Sequence, residues 1–164
     1  MKTKRLCISA VFTALVFIIT RFIQIPIPLG YFNIGNSVIL LGCLLVPNPY
    51  GIAIGSLGSA LADLTSFPAY ALPTLIIKAL MPAVFYAIYK TGIKNNHLRG
   101  FIAAAISTLI PLIGYTITGM ILYGSFYAGL AQIPGLIAEY AANLAIYMAF
   151  QAVVYPQLRR LNEI

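Results

Sequence analysis

Acidic side chains are almost missing from this 164-residue chain: Asp63, Glu139 and Glu163 are the three, against ten Lys and Arg. Charged residues make up 8% and hydrophobic ones 61%, where a soluble domain carries roughly 25% and 45–50%. So few charges cannot cover a water-facing surface, which excludes a soluble globular protein and makes lipid the relevant solvent. At about 20 apolar residues per crossing, the length accommodates roughly five to seven spans and no separate soluble domain. Cysteine is scarce too. Cys7 and Cys43 lie in apolar sequence, which excludes a disulfide framework and argues against a metal site. The single histidine, His97, sits in the polar stretch KTGIKNNHLRG and reads as a solvated loop residue. No GxxxxGK[ST], HExxH, CxxC or GxSxG string occurs, so no ATP hydrolysis, motif-borne hydrolase or metal chemistry is legible and no catalytic residue is assigned. The halves share no motif of the kind an inverted-repeat transporter would show.

What is present reads as six helices. The basic start MKTKRL and the apolar run after it resemble a signal peptide, but no small-residue cleavage site follows, and residues 6 to 23 are read as the first span. Pro26 and Pro28 exclude a regular helix from 21 to 36 and leave a long first loop, RFIQIPIPLGYFNIGN. Residues 35 to 46 and 50 to 64 form two short helices about Pro47-Asn48-Pro49, the alternative being one kinked span. Gly51 and Gly55 have GxxxG spacing, suited to close helix contact. Residues 72 to 90, after a turn from Phe67 to Tyr70, form the fourth span, residues 100 to 122 the fifth, and residues 133 to 155 the last, preceded by a loop from Tyr123 to Gln132.

Basic residues orient these spans. With six helices and the N-terminus inside, Lys2, Lys4, Arg5, Lys90, Lys94, Arg99, Arg159 and Arg160 are cytoplasmic and only Arg21 is outside. Five helices would place the last five of these outside. The expectation is an all-α integral membrane protein of six transmembrane helices, helices two and three short, with cytoplasmic N- and C-termini. The net charge of +7 then follows from orientation and anionic lipid, with no nucleic-acid partner needed.

This topology brings the charges inside the apolar runs to one depth. Asp63 ends an outward helix, Lys78 lies about five residues into an inward one and Glu139 about six residues into the last, all roughly 8–10 Å below the outer surface at 1.5 Å per residue. Glu139, Asn143 and Tyr147 recur at i, i+4 and i+8 on one helix face. With Tyr115 and Thr118, and with Tyr31, Phe32 and Asn33 of the first loop above them, they make a box with aromatic walls and polar anchors, the usual composition of a small-molecule site. The competing interpretation has Lys78 snorkelling to headgroups while Asp63 caps its helix, or the two pairing structurally. Ala10 and Ala14 form a smooth strip on the first helix, open to another helix or to packing within the bundle.

The strings GYFNIGNSVILLG (residues 30 to 42) and GSLGSALADLTSFPAYALPTLIIKALM (residues 55 to 81) resemble the substrate-binding S components of energy-coupling factor (ECF) vitamin transporters, in particular the riboflavin-type group. Ala10-Val-Phe-Thr-Ala14 is similar to the AxxxA signature of their first helix. The likeness covers the first four helices; the last two add hydropathy alone. It implies a six-helix, multi-pass plasma-membrane protein of prokaryotic type that binds a water-soluble vitamin near the outer face under a first-loop lid. Tyr31, Asn33, Asp63, Lys78, Tyr115, Glu139, Asn143 and Tyr147 are then candidate substrate contacts. Ala10 and Ala14 would dock on a coupling transmembrane subunit joined to two ATPases, which use the ATP; the chain itself needs no cofactor. Asn33 and Asn36 stand where the family string GYFHLGDAV has His and Asp, so the loop is less ionisable here. Closely set acid, base and amide anchors favour a pyridoxine- or hydroxymethylpyrimidine-like ring, with riboflavin as the other vitamin. A self-contained channel or facilitator is the alternative function.

Overall fold

The computed structural model describes residues 2–162, with side chains described through Val153, so the side chains of Arg159 and Arg160 lie outside the described residues. It is helical but for one small hairpin, in the order α1 (Lys2–Phe22), β1 (Ile25–Ile27), β2 (Gly30–Phe32), α2 (Gly35–Leu45), α3 (Tyr50–Ser66), α4 (Pro68–Tyr89), α5 (Asn96–Ser107), α6 (Leu109–Leu122) and α7 (Phe126–Asn162). Four stretches are long and apolar enough to cross a bilayer: α1, α4, α5 with α6 taken together, and α7 as far as Val153. The eleven residues of α2 span only about 16 Å at 1.5 Å per residue. Ile39, Leu40 and Cys43 of α2 are buried against Ile54, Met81, Phe85 and Tyr147, which places this short helix inside the bundle.

Small residues let α3 press between two neighbours. A methyl group added to Gly58 would sit 2.8 Å from the Thr13 carbonyl of α1, and one added to Gly55 2.6 Å from the Lys78 carbonyl of α4. The Pro47-Asn48-Pro49 turn separates α2 from α3, so the two are distinct helices and not one kinked span.

Five local features differ from the expectation. The first is that α5 starts at Asn96 and not at residue 100, so His97, expected in a loop, lies in its first turn with its backbone N–H donating to Asn95 Oδ1. Between α1 and α2 the proline-bearing segment forms a hairpin, with Ile25 opposite Phe32 and Ile27 opposite Gly30, turning through Leu29 at φ 61°. The prolines forbid helix, yet their fixed φ is compatible with a short extended edge. The α3–α4 connection is Phe67 alone, because Pro68 starts α4 at a position where a missing N–H costs nothing, and Pro73 lies deeper in the helix. The fifth span is broken at Thr108, three residues before Pro111, which has no N–H to continue the ladder. Finally, α7 begins at Phe126, seven residues before 133. Gly124, at φ 60°, completes the turn by itself, and Ala128, Leu130, Ala131 and Gln132 are helix formers despite the aromatic residues among them.

The hairpin, the α3–α4 connection and the α6–α7 turn share one end of the bundle. Gln24 Nε2 donates to Ser66 Oγ at 3.2 Å, and Ile27 packs so closely over Gly135 of α7 that a Cβ there would lie 2.8 Å away. The hairpin therefore roofs the gap between α3 and α7.

Candidate functional site

Beneath that roof is a cavity of about 30 Å³, roomy enough for two or three waters at about 10–15 Å³ each. Its lining includes Tyr31 and Asn33 from the hairpin and the segment after it, Asp63 from α3, Thr74 and Lys78 from α4, Tyr115 from α6, and Gln132 and Glu139 from α7. Helical spacing explains the assembly. Ser59 and Asp63 are four apart on α3, Tyr70, Thr74 and Lys78 are four apart on α4, and Gln132, Leu136 and Glu139 follow at i, i+4 and i+7 on α7.

Three ionisable groups from three helices share this space, and all are nearly sealed: Lys78 is 2%, Asp63 3% and Glu139 4% exposed. Lys78 does not snorkel to the bundle surface. Its Nζ donates to Asn36 Oδ1, and Asn36 Nδ2 donates to Glu139 Oε1 at 3.0 Å, so one carboxamide links ammonium to carboxylate. The ammonium also stands 5.4 Å from the Tyr115 ring centroid, within cation–π range. Asp63 accepts from Tyr31 OH on one oxygen and from Thr74 Oγ1 on the other, and the Thr74 hydroxyl lies 3.1 Å from Tyr115 OH. Tyr31 also meets the Phe67 ring at 5.5 Å. Burial, with the Asp63 carboxylate next in effect, holds the Tyr31 phenol well above the ordinary tyrosine range. It is therefore a neutral donor that ties the roof to the charged floor.

Asn143 and Tyr147 lie deeper on the same α7 face. Asn143 accepts from Ser37 N at 2.8 Å and donates to the Asn33 carbonyl at 2.8 Å and the Glu139 carbonyl at 2.9 Å, pinning the start of α2 to α7. Asn33 Oδ1 accepts from Gly35 N at 2.8 Å. Tyr147 is in the hydrophobic core, edge-on to Phe85 at 6.1 Å, and is not among the lining residues. Thr118 returns its hydroxyl to Gly114 O. Of the eight candidates, six line the cavity and two support it from below.

The sequence does not place Thr74, Tyr70 or Gln132 at the site, and it marks Asn36 only as a departure from the family string. The helical period reaches Gln132, since stepping back seven residues from Glu139 lands on it, but an expected helix start at 133, seven residues after the observed one, leaves Gln132 in a loop. Among the described residues no three His, Cys, Asp or Glu side chains gather as a metal site.

Ala10 and Ala14 are exposed and line an open apolar groove of about 720 Å³ between α1 and α3, with Leu6, Leu57, Leu61 and Leu64.

Comparisons with known proteins converge. The family model described as the ECF-type riboflavin transporter S component matches residues 1–155. A protein from the gap 3′ region of Pyrococcus woesei, described as uncharacterised, is 32% identical over 131 residues, which is 74% of this chain and 87% of that one. A solved structure, described as that of the S component of a bacterial ECF transporter, covers all of both chains at a TM-score of 0.71 and 21% identity, a likeness of fold.

Proposed function

This chain belongs to the ECF-type riboflavin transporter S component family, and on that premise we propose that it captures a small, water-soluble, single-ring vitamin of the pyridoxine or hydroxymethylpyrimidine class. The observation that carries this proposal is the convergence of the buried Asp63, Lys78 and Glu139 on one cavity walled by Tyr31 and Tyr115. Buried charges are expensive, and three from separate helices are retained where they serve a ligand. The family's description favours riboflavin as the second reading.

The basic residues orient the protein with both termini cytoplasmic and the hairpin outside, as a plasma-membrane protein crossing six times. Vitamin enters when Tyr31 leaves Asp63 and the hairpin lifts. The Asp63 carboxylate, the Lys78 ammonium and the Glu139 carboxylate then hydrogen-bond the ligand's hydroxyl and ring groups while Tyr115 packs on its face. The Ala10–Ala14 groove docks a coupling transmembrane subunit that carries two ATPases, and these supply the work of import. Isothermal titration of the purified chain with pyridoxine, 4-amino-5-hydroxymethyl-2-methylpyrimidine and riboflavin tests the proposal. Tight one-to-one binding of a single-ring probe supports it; binding of riboflavin alone transfers it to the second reading. Binding of none, with ligand-independent flux through vesicles holding this chain alone, would establish a facilitator instead.

A further inference from the structure

The charged groups of the cavity already hold neutral partners, Asn36 for Lys78 and Glu139, Tyr31 and Thr74 for Asp63, whereas several of its neutral polar atoms have none. Gln132 Nε2, Tyr70 OH, Thr20 Oγ1 and Ser59 Oγ are buried, line the cavity and have no hydrogen-bond partner. Such atoms are uncommon in a folded protein, and each one needs a reason. Gln132 is the most telling. It is 2% exposed, on the α7 turn just before the Leu136–Glu139 face, and the helices are shaped around it. A Cβ at Gly119 of α6 would overlap its Nε2, and one at Gly30 of the hairpin would lie 3.9 Å from its Oε1. The Tyr70 hydroxyl of α4 stands near the same carboxamide and near Tyr123, in neither case at hydrogen-bond geometry. A glutamine that merely tied α6 to α7 would spend its donor on a backbone carbonyl.

We propose that Gln132, with Tyr70 at its side, is the specificity-determining pair of the site, donating its amide N–H to a hydrogen-bond acceptor on the ligand's ring, a carbonyl oxygen or an unprotonated ring nitrogen. This rests on the vitamin-capture reading above. Asp63, Lys78 and Glu139 set the charge of the cavity, and Gln132 distinguishes rings by whether an acceptor faces it. A ligand without that acceptor leaves a buried donor unpaired, the situation in which polar sites discriminate most strongly.

The test uses the full chain in detergent, with the three vitamin probes measured by titration calorimetry and unliganded stability by thermal unfolding. Gln132→Met removes the donor at nearly constant volume. It should weaken the best probe roughly ten- to a hundredfold, equivalent to 1.4–2.8 kcal/mol at 1.4 kcal/mol per decade, while unliganded stability holds or rises because an unpaired donor has gone. Tyr70→Phe should weaken the same probe several-fold. Should Gln132→Met not fold, Gln132→Leu also removes the donor without adding a charge, and should show the same loss. Affinity within twofold of the parent, or a loss of affinity matched by a loss of unliganded stability, overturns the inference while leaving vitamin capture intact. If no probe binds the parent chain, the capture reading falls and the inference with it.

Discussion

Lys78→Met tests whether the cavity's charges form one coupled unit. Lys78 is the cation among the lining residues, and its removal strips the donor from Asn36 Oδ1 and leaves two carboxylates, Asp63 and Glu139, without a counter-charge. Breaking a buried charge network from one side costs about 3–5 kcal/mol, most of it the penalty of the uncompensated partner. Lys78→Met with Glu139→Gln removes two of the three charges, and the new carboxamide oxygen still accepts from Asn36 Nδ2. Asp63 keeps its Tyr31 and Thr74 donors. The Asp63 charge stands without a cation in the single and double variants alike and so cancels between them, leaving Asn36 Oδ1 and the added amide N–H, a cost of about 1–2 kcal/mol. The double variant should therefore be more stable than the single one by about 2–3 kcal/mol, a coupling readable from a double-mutant cycle. Denaturant titration in mild detergent with a fluorogenic maleimide provides the assay, since Cys43 is 5% exposed and reacts on unfolding, in a Cys7→Ser background because Cys7 is exposed. Vitamin binding should be lost in both variants. Additive destabilisation, or a Lys78→Met protein as stable as its parent, would refute the coupled network.

Four further outcomes follow from the same geometry. Tyr31→Phe removes the bond between roof and floor, worth about 1.5–3 kcal/mol for a donor to a carboxylate, and should speed proteolysis within the hairpin by at least about tenfold; an unchanged cleavage rate would show that the Asp63 contact does not hold the roof. Because the folded phenol is held above the free value of 10.0, the hairpin's protection should be full below that pH and decline above it, and the decline should vanish in Tyr31→Phe. Ala14→Trp fills the α1–α3 groove and should spare vitamin binding while blocking recovery of the coupling subunit in a pull-down; normal recovery would reduce Ala10 and Ala14 to lipid-facing residues. Gly58→Val places methyl groups where Val16 and the Thr13 carbonyl already stand, and should destabilise the fold by about 1–3 kcal/mol with no selective effect on the vitamin; an unaltered unfolding midpoint would mean that α1 is free to shift.

Why six of the eight named residues line one cavity, and why Gln132, Tyr70 and Thr74 escaped, has one physical answer. A charge inside an apolar run carries a penalty large enough to demand an explanation, so Asp63, Lys78 and Glu139 announce a site from composition alone, and a depth argument at 1.5 Å per residue suffices to converge them. A hydroxyl or carboxamide carries a far smaller penalty and is found throughout membrane helices as packing and inter-helix glue. Its role depends on which way it faces, and that requires the helix register to be known to a residue. Register was the weakest element, since Gly124 shortens the last turn and Pro68 starts α4 early, moving Gln132 and Tyr70 from expected loops onto helix faces. Tyr147 failed in the opposite direction: its i+8 spacing from Glu139 is right, but two turns of α7 carry it past the cavity floor into the Phe85 core. Asn36 completes the argument, because its neutral carboxamide donates to Glu139 and accepts from Lys78 at once. An aspartate there would add a third carboxylate against one ammonium, so the neutral carboxamide keeps the buried charge low enough for the other three groups to remain in place.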